Sequence, residues 1–302
     1  MKIAVTGASG LVGRALLELL KAEGHEAIRI VRKASGSSGP GVLWDPETRA
    51  IDLKGLESVD GVVHLAGESI VGRWTPALKN KILKSRVDGT QLIAESIARL
   101  QRPPKVLVCA SAIGFYGDRG QEVLDESSPM GRGFLPEVCQ AWESAASPAK
   151  RTGIRTTHLR FGIILSAKGG ALAKMLFPFR LGLGGVLGNG RQIMSWVTID
   201  DVAGIILHAL KNEGLEGPVN VVSPSPVTNR EFTKALGKAL HRPTIFPVPS
   251  FGIRLLFGEM ADALLLASAK VLPTKLQKSG YLFKHPNLDF ALSKEEICPK
   301  SY

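Results

Sequence analysis

Short apolar runs alternate with amphipathic stretches along the first half of this chain, and the period of each predicts its secondary structure. Apolar runs predict strands, and apolar residues at helical spacing predict helices between them. The predicted strands are Ile3–Val5, His25–Val31, Gly61–Gly67, Lys105–Ser111 and Arg155–Arg160. The predicted helices are Leu11–Ala22, Lys79–Leu100 and one within Gly133–Thr152. Strands that alternate with helices favour an α/β fold with a doubly wound parallel sheet.

The first predicted strand runs into a glycine turn with the spacing G-x-x-G-x-x-G. A helix opens directly behind it, an arrangement that places backbone N–H groups and a helix dipole against a pyrophosphate. Gly7 would allow the turn, Gly10 the close approach of phosphate, and Gly13 the packing of helix on strand. The turn predicts a dinucleotide site in a Rossmann-type domain, although an ordinary strand-to-helix turn is the alternative. The predicted contacts here are Gly7, Ser9, Gly10, Leu11, Val12 and Gly13.

The pattern changes after Leu165. Glycine becomes frequent in Gly182–Gly190, which we interpret as a covering loop, or otherwise as a structural surface loop. A helix from Asp200 and a strand at Pro218–Val222 resume the alternation. We therefore predict a nucleotide-binding Rossmann domain and a smaller α/β substrate-binding lobe. The Rossmann domain comprises residues 1–165 with 198–222, and the lobe comprises 166–197 with 223–302, including a C-terminal module at about 249–297.

Charge is distributed unevenly along the 302 residues, and this bears on the partners we expect. The chain has 38 lysines and arginines against 27 acidic residues, a net charge of +11. Residues 1–150 hold 19 basic and 17 acidic residues, whereas residues 151–302 hold 19 and 10. A basic C-terminal half favours an anionic small-molecule substrate. The bases stand singly without interleaved aromatics, and no apolar run reaches membrane-spanning length, so we expect neither nucleic acid nor membrane as a partner.

The three cysteines, Cys109, Cys139 and Cys298, are far apart and match no metal-ligand spacing. A sparse, odd number predicts buried thiols in a reducing compartment and no metal site. The first strand begins almost at Met1, which gives no sign of a targeting segment. We therefore expect a cytoplasmic protein, either a monomer or a homodimer.

Two basic residues follow the second predicted strand and bear on the choice of cofactor. In a site that prefers NAD(H), an acidic residue at this point bonds the ribose hydroxyls. Here the predicted strand ends at Val31, and Arg32 and Lys33 follow it. A carboxylate would repel a 2′-phosphate, whereas Arg32 can pair with it. The sequence thus predicts NADP(H) over NAD(H), with solvated loop charges as the alternative.

Several motifs occur in the order typical of the extended short-chain dehydrogenase/reductase superfamily, which the chain resembles. They are Gly7–Gly13, His64–Gly67, Ser111–Gly117, Arg160–Leu165, Gly188–Gln192 and Trp196–Ala203. Phe179–Gly185 and the tail around Pro273 resemble an atypical branch, the NAD(P)-dependent epimerase/dehydratase-like or nucleoside-diphosphate-sugar epimerase-like proteins. That branch carries a small extra C-terminal module. The resemblance implies a Rossmann domain, a substrate lobe and an NADP-type cofactor.

The resemblance also implies positions for individual residues. It puts Leu65, Ala66 and Gly67 beside the cofactor, and Glu68 at the pocket entrance. Arg86 and Arg160 would face phosphate or pocket. The alternatives are that the apolar residues belong to the core and that Arg86 lies on the surface of its helix.

The family's catalytic pair is where the sequence departs from the pattern. Members use a tyrosine with a lysine four residues on, which puts both side chains on one helix face. None of the three tyrosines here has a lysine at that spacing. The expected pair falls on Leu135 and Cys139, and the family's serine or threonine falls on Ala112, next to Ser111.

Two hypotheses about function remain open. In one, the protein is an NADP-dependent oxidoreductase or epimerase whose acid/base residues are among Ser111, Tyr116 and Glu68, with Ser111 also contacting the cofactor. Its substrate would be a nucleotide-sugar-like or carbonyl compound, held by Arg180 and Arg191. In the other, the protein binds NADPH without turnover, as a regulatory or redox-sensing protein.

Overall fold

An eight-stranded sheet lies at the centre of the structure, a computed structural model that describes residues 1–32, 41–294 and 298–299. From one edge to the other its strands are β12 (Gly217–Val221), β8 (Arg155–Phe161), β6 (Val106–Ala112), β5 (Gly61–His64), β1 (Lys2–Thr6), β2 (Glu26–Arg32), β3 (Val42–Asp45) and β4 (Ala50–Ile51). All neighbours pair in parallel except β3 and β4. The predicted α/β class with a parallel, doubly wound sheet is confirmed.

Helices cover both faces of this sheet. They are α1 (Leu11–Ala22), α2 (Pro76–Ile97), α3 (Phe134–Ser144), α4 (Ser147–Arg151) and α6 (Ile199–Lys211). The helices α1 and α6 pack on one face, where Leu16 and Ile206 join Val5 in a continuous core. The helices α2 and α4 pack on the other, where Ile93 joins Ala4. Ala4 and Val5 are successive residues of β1, so their side chains point to opposite faces of the sheet. Because both are buried, helices cover the sheet on both faces.

A group of helices and short strands encloses a separate apolar cluster. Its helices are α5 (Gly170–Arg180), α7 (Asn229–Leu240) and α10 (Leu288–Ser293). Helix α8 (Ser250–Phe257) lies outside this cluster, and its Phe257 packs in another one with Trp74. Two short strand pairs complete the group, β9 (Ile163–Leu165) with β11 (Trp196–Thr198) and β10 (Ile193–Met194) with β13 (Val227–Thr228). Leu172, Trp196 and Phe232 are fully enclosed there. The apolar positions of α5 and α7 form this cluster, which is distinct from the core of the main sheet.

The C-terminal segment returns to the main sheet. Strand β14 (Lys270–Val271) pairs with β7 (Val123–Leu124), and α9 (Thr274–Lys278) follows. Leu276 of α9 lies in the core between the sheet and α6. Asp201, a buried carboxylate of α6, accepts bonds from the Tyr281 hydroxyl and the His285 backbone N–H. The predicted division into two domains stays a prediction, and this packing adds that the segment around α9 rests on the sheet domain.

Three elements differ from the sequence-based expectation. The helix predicted within Gly133–Thr152 is two helices, α3 and α4, because Pro148 opens α4 and cannot continue the hydrogen bonds of a preceding helix. The strand predicted over Gly61–Gly67 ends at His64. The β3–β4 hairpin was not predicted, because each of its strands is very short. In the part of the chain that is described, no helix has the length and apolar character needed to cross a bilayer.

Candidate functional site

The glycine turn lies between β1 and α1 at the carboxyl edge of the sheet. Gly7 has a φ of 65°, in the left-handed region that favours glycine. A Cβ on Gly13 would lie 2.2 Å from the Gly7 carbonyl oxygen, so only glycine fits there. A Cβ on Gly10 would meet one atom within 4 Å, the same carbonyl oxygen at 3.2 Å. Beyond that contact the space at Gly10 is open, and a phosphate can approach the backbone from this side.

The first turn of α1 receives no side-chain cap from the described residues. Gly10 occupies the N-cap position, and no side chain in that part of the chain bonds to the N–H groups that follow it. Ser9 is exposed and its carbonyl accepts a bond from Arg14, while Leu11 and Val12 are half-buried. An uncapped helix start with open space in front of it fits an anion, because its N–H groups need an acceptor. The residues predicted here lie together in the structure.

A buried hydroxyl ties the glycine turn to the end of β5. Thr6 Oγ1 accepts hydrogen bonds from the backbone N–H groups of Leu65, at 3.0 Å, and Ala66, at 3.2 Å. Its own proton therefore points to His64 Nδ1, 2.8 Å away. Burial lowers the pKa of His64 to about 4, so the ring is neutral. A Cβ on Gly7 would lie 2.8 Å from the Leu65 carbonyl carbon, so the two loops are in direct contact.

A cavity of about 850 Å³ lies between the β3–β4 hairpin, the loop after β5 and helix α2. Its wall includes Ala66, Gly67 and Trp44. Four basic and four acidic side chains also line it: Arg32, Arg49, Lys81, Lys84, Asp45, Glu47, Glu68 and Asp88. The Asp45 carboxylate accepts bonds from the backbone of Glu47 and from the hydroxyl of Thr48, which fixes the hairpin turn.

Arg32 is the last residue of β2 and lies at the wall of this cavity. It pairs in register with Trp44 of β3, so the hairpin that sequence reasoning missed forms the neighbouring wall. Val31 is half-buried in the same strand. Lys33 lies outside the described residues. The signal for the hairpin was present in Asp45-Pro46-Glu47-Thr48, a run typical of a turn, which follows the apolar residues Val42 and Trp44.

Glu68 and Arg86 meet at the loop that follows β5. The Glu68 backbone N–H donates to the Ser85 hydroxyl, and its carboxylate pairs with Lys81 at 3.2 Å. Its carbonyl oxygen accepts a bond of 3.0 Å from Arg86 Nη1. The Arg86 guanidinium also stacks on the ring of Trp142, at 4.9 Å. Leu65 and Ala66 are half-buried beside them, so these residues do come together at one edge of the sheet.

Ser111, Tyr116 and Arg160 are joined in a buried network that Glu143 of α3 organises. The Ser111 hydroxyl donates to Glu143 Oε1 at 2.7 Å. Arg160 Nε and Nη2 each donate to one oxygen of the same carboxylate, at 2.8 and 2.9 Å. Burial alone would lower the pKa of Arg160, but the hydrogen bonds and charge of Glu143 hold it above its usual value. A bidentate pair of this kind is strong and directional.

Tyr116 lies inside the same network and is fully buried. Its hydroxyl oxygen accepts a bond from Arg160 Nη1 and lies 2.8 Å from Asn220 Oδ1 and 2.9 Å from the Asp125 carbonyl. Burial raises the pKa of the phenol, which therefore stays protonated. Tyr116 thus holds β6, β8 and β12 together, and its hydroxyl has no solvent-accessible face.

Leu135 and Cys139 lie where the resemblance places the family's tyrosine and lysine. Both are buried, and both pack against Gly114 of the turn Ile113–Tyr116. Burial raises the pKa of the Cys139 thiol to about 12, and its Sγ faces the Ala112 carbonyl at 3.7 Å. Neither side chain can transfer a proton near neutral pH. One turn further along the same face of α3 comes Glu143.

The two arginines predicted to hold substrate lie apart from this network. Arg180, at the end of α5, donates from Nη2 to the Pro299 carbonyl at 2.9 Å. Arg191 is exposed, and its backbone carbonyl accepts a bond from Gln121. Sequence reasoning missed Glu143 and Asn220 as members of the network. Glu143 carried a signal, since it follows Cys139 by one helical turn.

Comparisons with known proteins agree with this geometry. Residues 3–222 match the model of the NAD dependent epimerase/dehydratase family, and residues 248–295 match a domain of unknown function, DUF1731. The epimerase family protein Mb2239 of Mycobacterium bovis is 40% identical over 298 residues, which cover 98% of each chain.

Two solved structures also resemble the chain. The crystal structure of human epimerase family protein SDR39U1 (isoform 2) with NADPH is 38% identical, with a TM-score of 0.90 and coverage of 98% of this chain and 99% of the human one. The crystal structure of the nucleoside-diphosphate sugar epimerase from Corynebacterium glutamicum is 34% identical, with a TM-score of 0.81. The match covers 98% of this chain and 58% of the Corynebacterium chain. With a family model over most of its length and relatives of this identity, the chain belongs to the NAD dependent epimerase/dehydratase family.

Proposed function

We propose that this protein binds NADP(H), in preference to NAD(H), and acts as a reductase or epimerase on an anionic small molecule. The observation that carries the proposal is the glycine turn. Its uncapped helix start and the open space at Gly10 form a phosphate cradle, and Arg32 lines a cavity near the loop that contacts Gly7. The human relative solved with NADPH supports the same cofactor.

The residues that would hold the cofactor follow from this arrangement. The pyrophosphate would lie against the turn from Gly7 to Gly13, and the loop of Leu65, Ala66 and Gly67 would border the ribose beyond it. Arg32, with Val31 and Lys33 beside it, would face the adenosine end. A guanidinium at the end of β2 favours a 2′-phosphate over two free hydroxyls.

Titration of the protein with NADPH and NADH tests the cofactor preference. We expect NADPH to bind at least tenfold more tightly, and Arg32→Gln to remove most of that difference, since a charge-assisted pair contributes about 1.5–3 kcal/mol. Arg29→Gln, an exposed position on the same strand, is the matched control. Equal affinity for the two cofactors, or tighter NADH, would refute the preference.

When bound, a nicotinamide supplies or accepts the hydride, and the protein's own groups must handle protons. Ser111 and Glu68 are the candidates with a polar group near the carboxyl edge of the sheet. Glu143 holds the Ser111 hydroxyl in one direction, and Lys81 holds the Glu68 carboxylate. Tyr116 positions Arg160 and β12, and its enclosed hydroxyl does not favour a direct role.

A second function is favoured by one specific observation. Leu135 and Cys139 fill the positions of the usual proton donor and its partner, and Cys139 is a buried, protonated thiol. A protein of this kind would bind NADPH and report its level without turnover. All three cysteines are buried, so such a sensor would respond to the cofactor and not to thiol oxidation.

An NADPH-oxidation screen over carbonyl compounds and nucleotide sugars separates the two functions. We expect turnover of at least one compound, and a loss of at least tenfold in kcat for Ser111→Ala or Glu68→Gln. Tyr116→Phe should change stability more than kcat. Tight NADPH binding without turnover of any compound would refute the enzyme and support the regulatory protein.

A further inference from the structure

A group of large apolar side chains between residues 177 and 256 is open to solvent. Each of them is between 53% and 75% exposed, and we call the group the apolar patch: Phe177, Leu181, Leu183, Ile245, Phe246, Phe251, Leu255 and Leu256. Its three phenylalanines alone present about 400 Å², since an aromatic side chain covers about 150–250 Å². With five aliphatic side chains added, the area exceeds the largest apolar patch of a typical monomer, about 300–600 Å². Exposed apolar surface of this size marks an interaction site.

Backbone contacts join the two segments of chain that carry the apolar patch. The Val248 N–H donates to the Val186 carbonyl at 2.9 Å. A Cβ on Gly185 would overlap the Phe246 carbonyl oxygen, so the two backbones touch at this point. The loop after α5 therefore lies along the segment that precedes α8. The patch residues belong to one continuous region of the surface.

Helix α8 is apolar on two opposite sides. Ile253 is buried, and Phe257, one turn further on, packs with Trp74. Phe251 and Leu255 each stand two residues before these inward-facing side chains. Because successive residues turn by about 100°, they lie on the opposite side of the helix. A helix with apolar residues all round is normally covered on every side, and the described residues leave this outer side exposed.

Three exposed bases stand at the edges of the apolar patch: Lys174, Arg242 and Arg254. The first lies one helical turn before Phe177, the second three residues before Ile245, and the third next to Leu255. Arg254 also pairs with Asp262 at 2.9 Å, at an exposed position where such a pair is weak. The patch thus has a positively charged border.

The chain around the apolar patch lacks acidic residues over long stretches. Residues 144–199 and residues 232–258 contain no aspartate or glutamate, and they hold eight and four lysines and arginines. Every residue of the patch lies within these two stretches. Protruding phenylalanine and leucine side chains, with bases beside them and no acids, suit an anionic lipid bilayer. Its acyl layer takes up the apolar groups and its headgroups attract the bases.

A second copy of the chain fits this surface less well. In a symmetric dimer the same surface meets itself, so the bases of one copy would face those of the other. The acid-free stretches offer no counter-charge to offset that repulsion. Five of the side chains protrude because each is 71–75% exposed: Phe177, Ile245, Phe251, Leu255 and Leu256. Protruding side chains can enter a soft layer of lipid without a groove to receive them.

We propose that the apolar patch binds the surface of an anionic lipid bilayer, with Phe251 and Leu255 of α8 in the acyl layer and the border bases on the headgroups. The sequence-based expectation of no membrane partner considers only runs long enough to span a bilayer, and binding to its surface needs no such run. The proposal goes beyond the proposed function, because no patch residue lines the cavity beside Arg32.

Sedimentation of the full chain with lipid vesicles tests the apolar groups. Vesicles with equal parts of phosphatidylcholine and phosphatidylglycerol provide the anionic surface. We expect the parent protein to bind them, and Phe251→Ser/Leu255→Ser to bind roughly tenfold more weakly or worse. Leu255→Ser alone should have a smaller effect. Its matched control is Leu282→Ser, since Leu282 is 87% exposed on the segment after α9, and this variant should bind like the parent. Thermal unfolding checks that every variant is folded.

Vesicles of phosphatidylcholine alone, and a series of salt concentrations, test the charges. The parent should bind the neutral vesicles roughly tenfold more weakly, and high salt should weaken its binding to the anionic ones. Lys174→Gln/Arg242→Gln should weaken binding to the anionic vesicles roughly tenfold, because each base near such a surface adds to the attraction. Arg99→Gln/Arg102→Gln is the control, with both charges exposed beyond the far end of α2, and it should change nothing.

Other results would overturn the proposal. If the parent binds neither kind of vesicle, or a control variant loses as much as the matching patch variant, the patch is not a membrane surface. If the parent is a dimer that Phe251→Ser/Leu255→Ser converts to a monomer, and no vesicle is bound, a second copy is the occupant. Binding to polyglutamate without binding to vesicles would make an acidic protein the occupant. Failure of the proposed function would appear as a parent that does not bind NADPH, and the vesicle results would stand apart from it.

Discussion

Replacing Thr6 by valine should destabilise the protein and loosen its cofactor site, although the two side chains have nearly the same shape. The fully buried Thr6 hydroxyl accepts from the N–H groups of Leu65 and Ala66 and donates to His64 Nδ1. Valine leaves these three groups without their partner. An unsatisfied group costs about 1–3 kcal/mol when buried, and two of the three are only partly buried, so we expect about 3 kcal/mol in total. For a chain of 302 residues that corresponds to a fall in Tm of roughly 5 °C.

Thermal unfolding and NADPH titration of the Thr6→Val and Thr6→Ser proteins provide the assay. Serine keeps the hydroxyl and loses one buried methyl group, at a cost of about 1 kcal/mol. Valine should therefore be the less stable variant, and it should bind NADPH more weakly because the loop at Leu65 no longer has a fixed distance to Gly7. If valine proves as stable as serine, the hydroxyl does not hold the two loops together and the hydrogen-bond reasoning fails.

Two further predictions concern the titratable side chains of His64 and Glu143. The pKa of His64 is lowered to about 4 in the folded protein, below its value of 6.5 when unfolded, so its contribution to stability is complete above pH 6.5 and is lost as the pH falls towards 4. At pH 5 the loss should be about 2 kcal/mol in urea unfolding, and His64→Gln should lack that part of the pH dependence; an equal loss in both proteins would contradict it. Glu143→Gln should cost about 3 kcal/mol, because it breaks a bidentate pair and leaves Arg160 buried without a counter-charge. Glu137→Gln, at an exposed position of the same helix, should cost less than 1 kcal/mol in the same urea experiment, and similar losses for both would show that the network carries little stability.

The parts of this fold that follow from the sequence are those with a local cause. Apolar runs such as Val106–Ser111 are buried on both faces of the sheet, so they differ plainly from the amphipathic helices between them. The turn from Gly7 to Gly13 could be identified because two of its glycines have a local cause: Gly7 has a left-handed φ, and a Cβ on Gly13 would collide with the Gly7 carbonyl oxygen six residues earlier. The hairpin β3–β4 has strands of four and two residues, too short to show a period.

The buried network was beyond such reasoning, because its members are distant in the chain. Ser111 and Arg160 become neighbours only through the register of β6 with β8, which pairs these two residues directly. Asn220 reaches Tyr116 because β12 lies next to β8 in the same sheet. The sequence supplied the right residues at strand ends. Strand order determines which residue lies next to a given side chain, and so whether that side chain contacts a ligand or another side chain.

The absence of the tyrosine–lysine pair does not by itself decide whether the site is active. Helix α3 keeps the face on which the pair would lie, but that face now packs Leu135 and Cys139 and fixes Ser111 through Glu143. The positive charge near these residues comes from a different helix, as Arg86 of α2. A guanidinium stays protonated near neutral pH, so it can bind and orient an anion but cannot serve as the proton donor. Any reaction at this site must therefore take its proton from another group, such as the Ser111 hydroxyl, the Glu68 carboxyl or the substrate itself. A substrate that needs no proton from the protein would be the simplest one for this site to turn over.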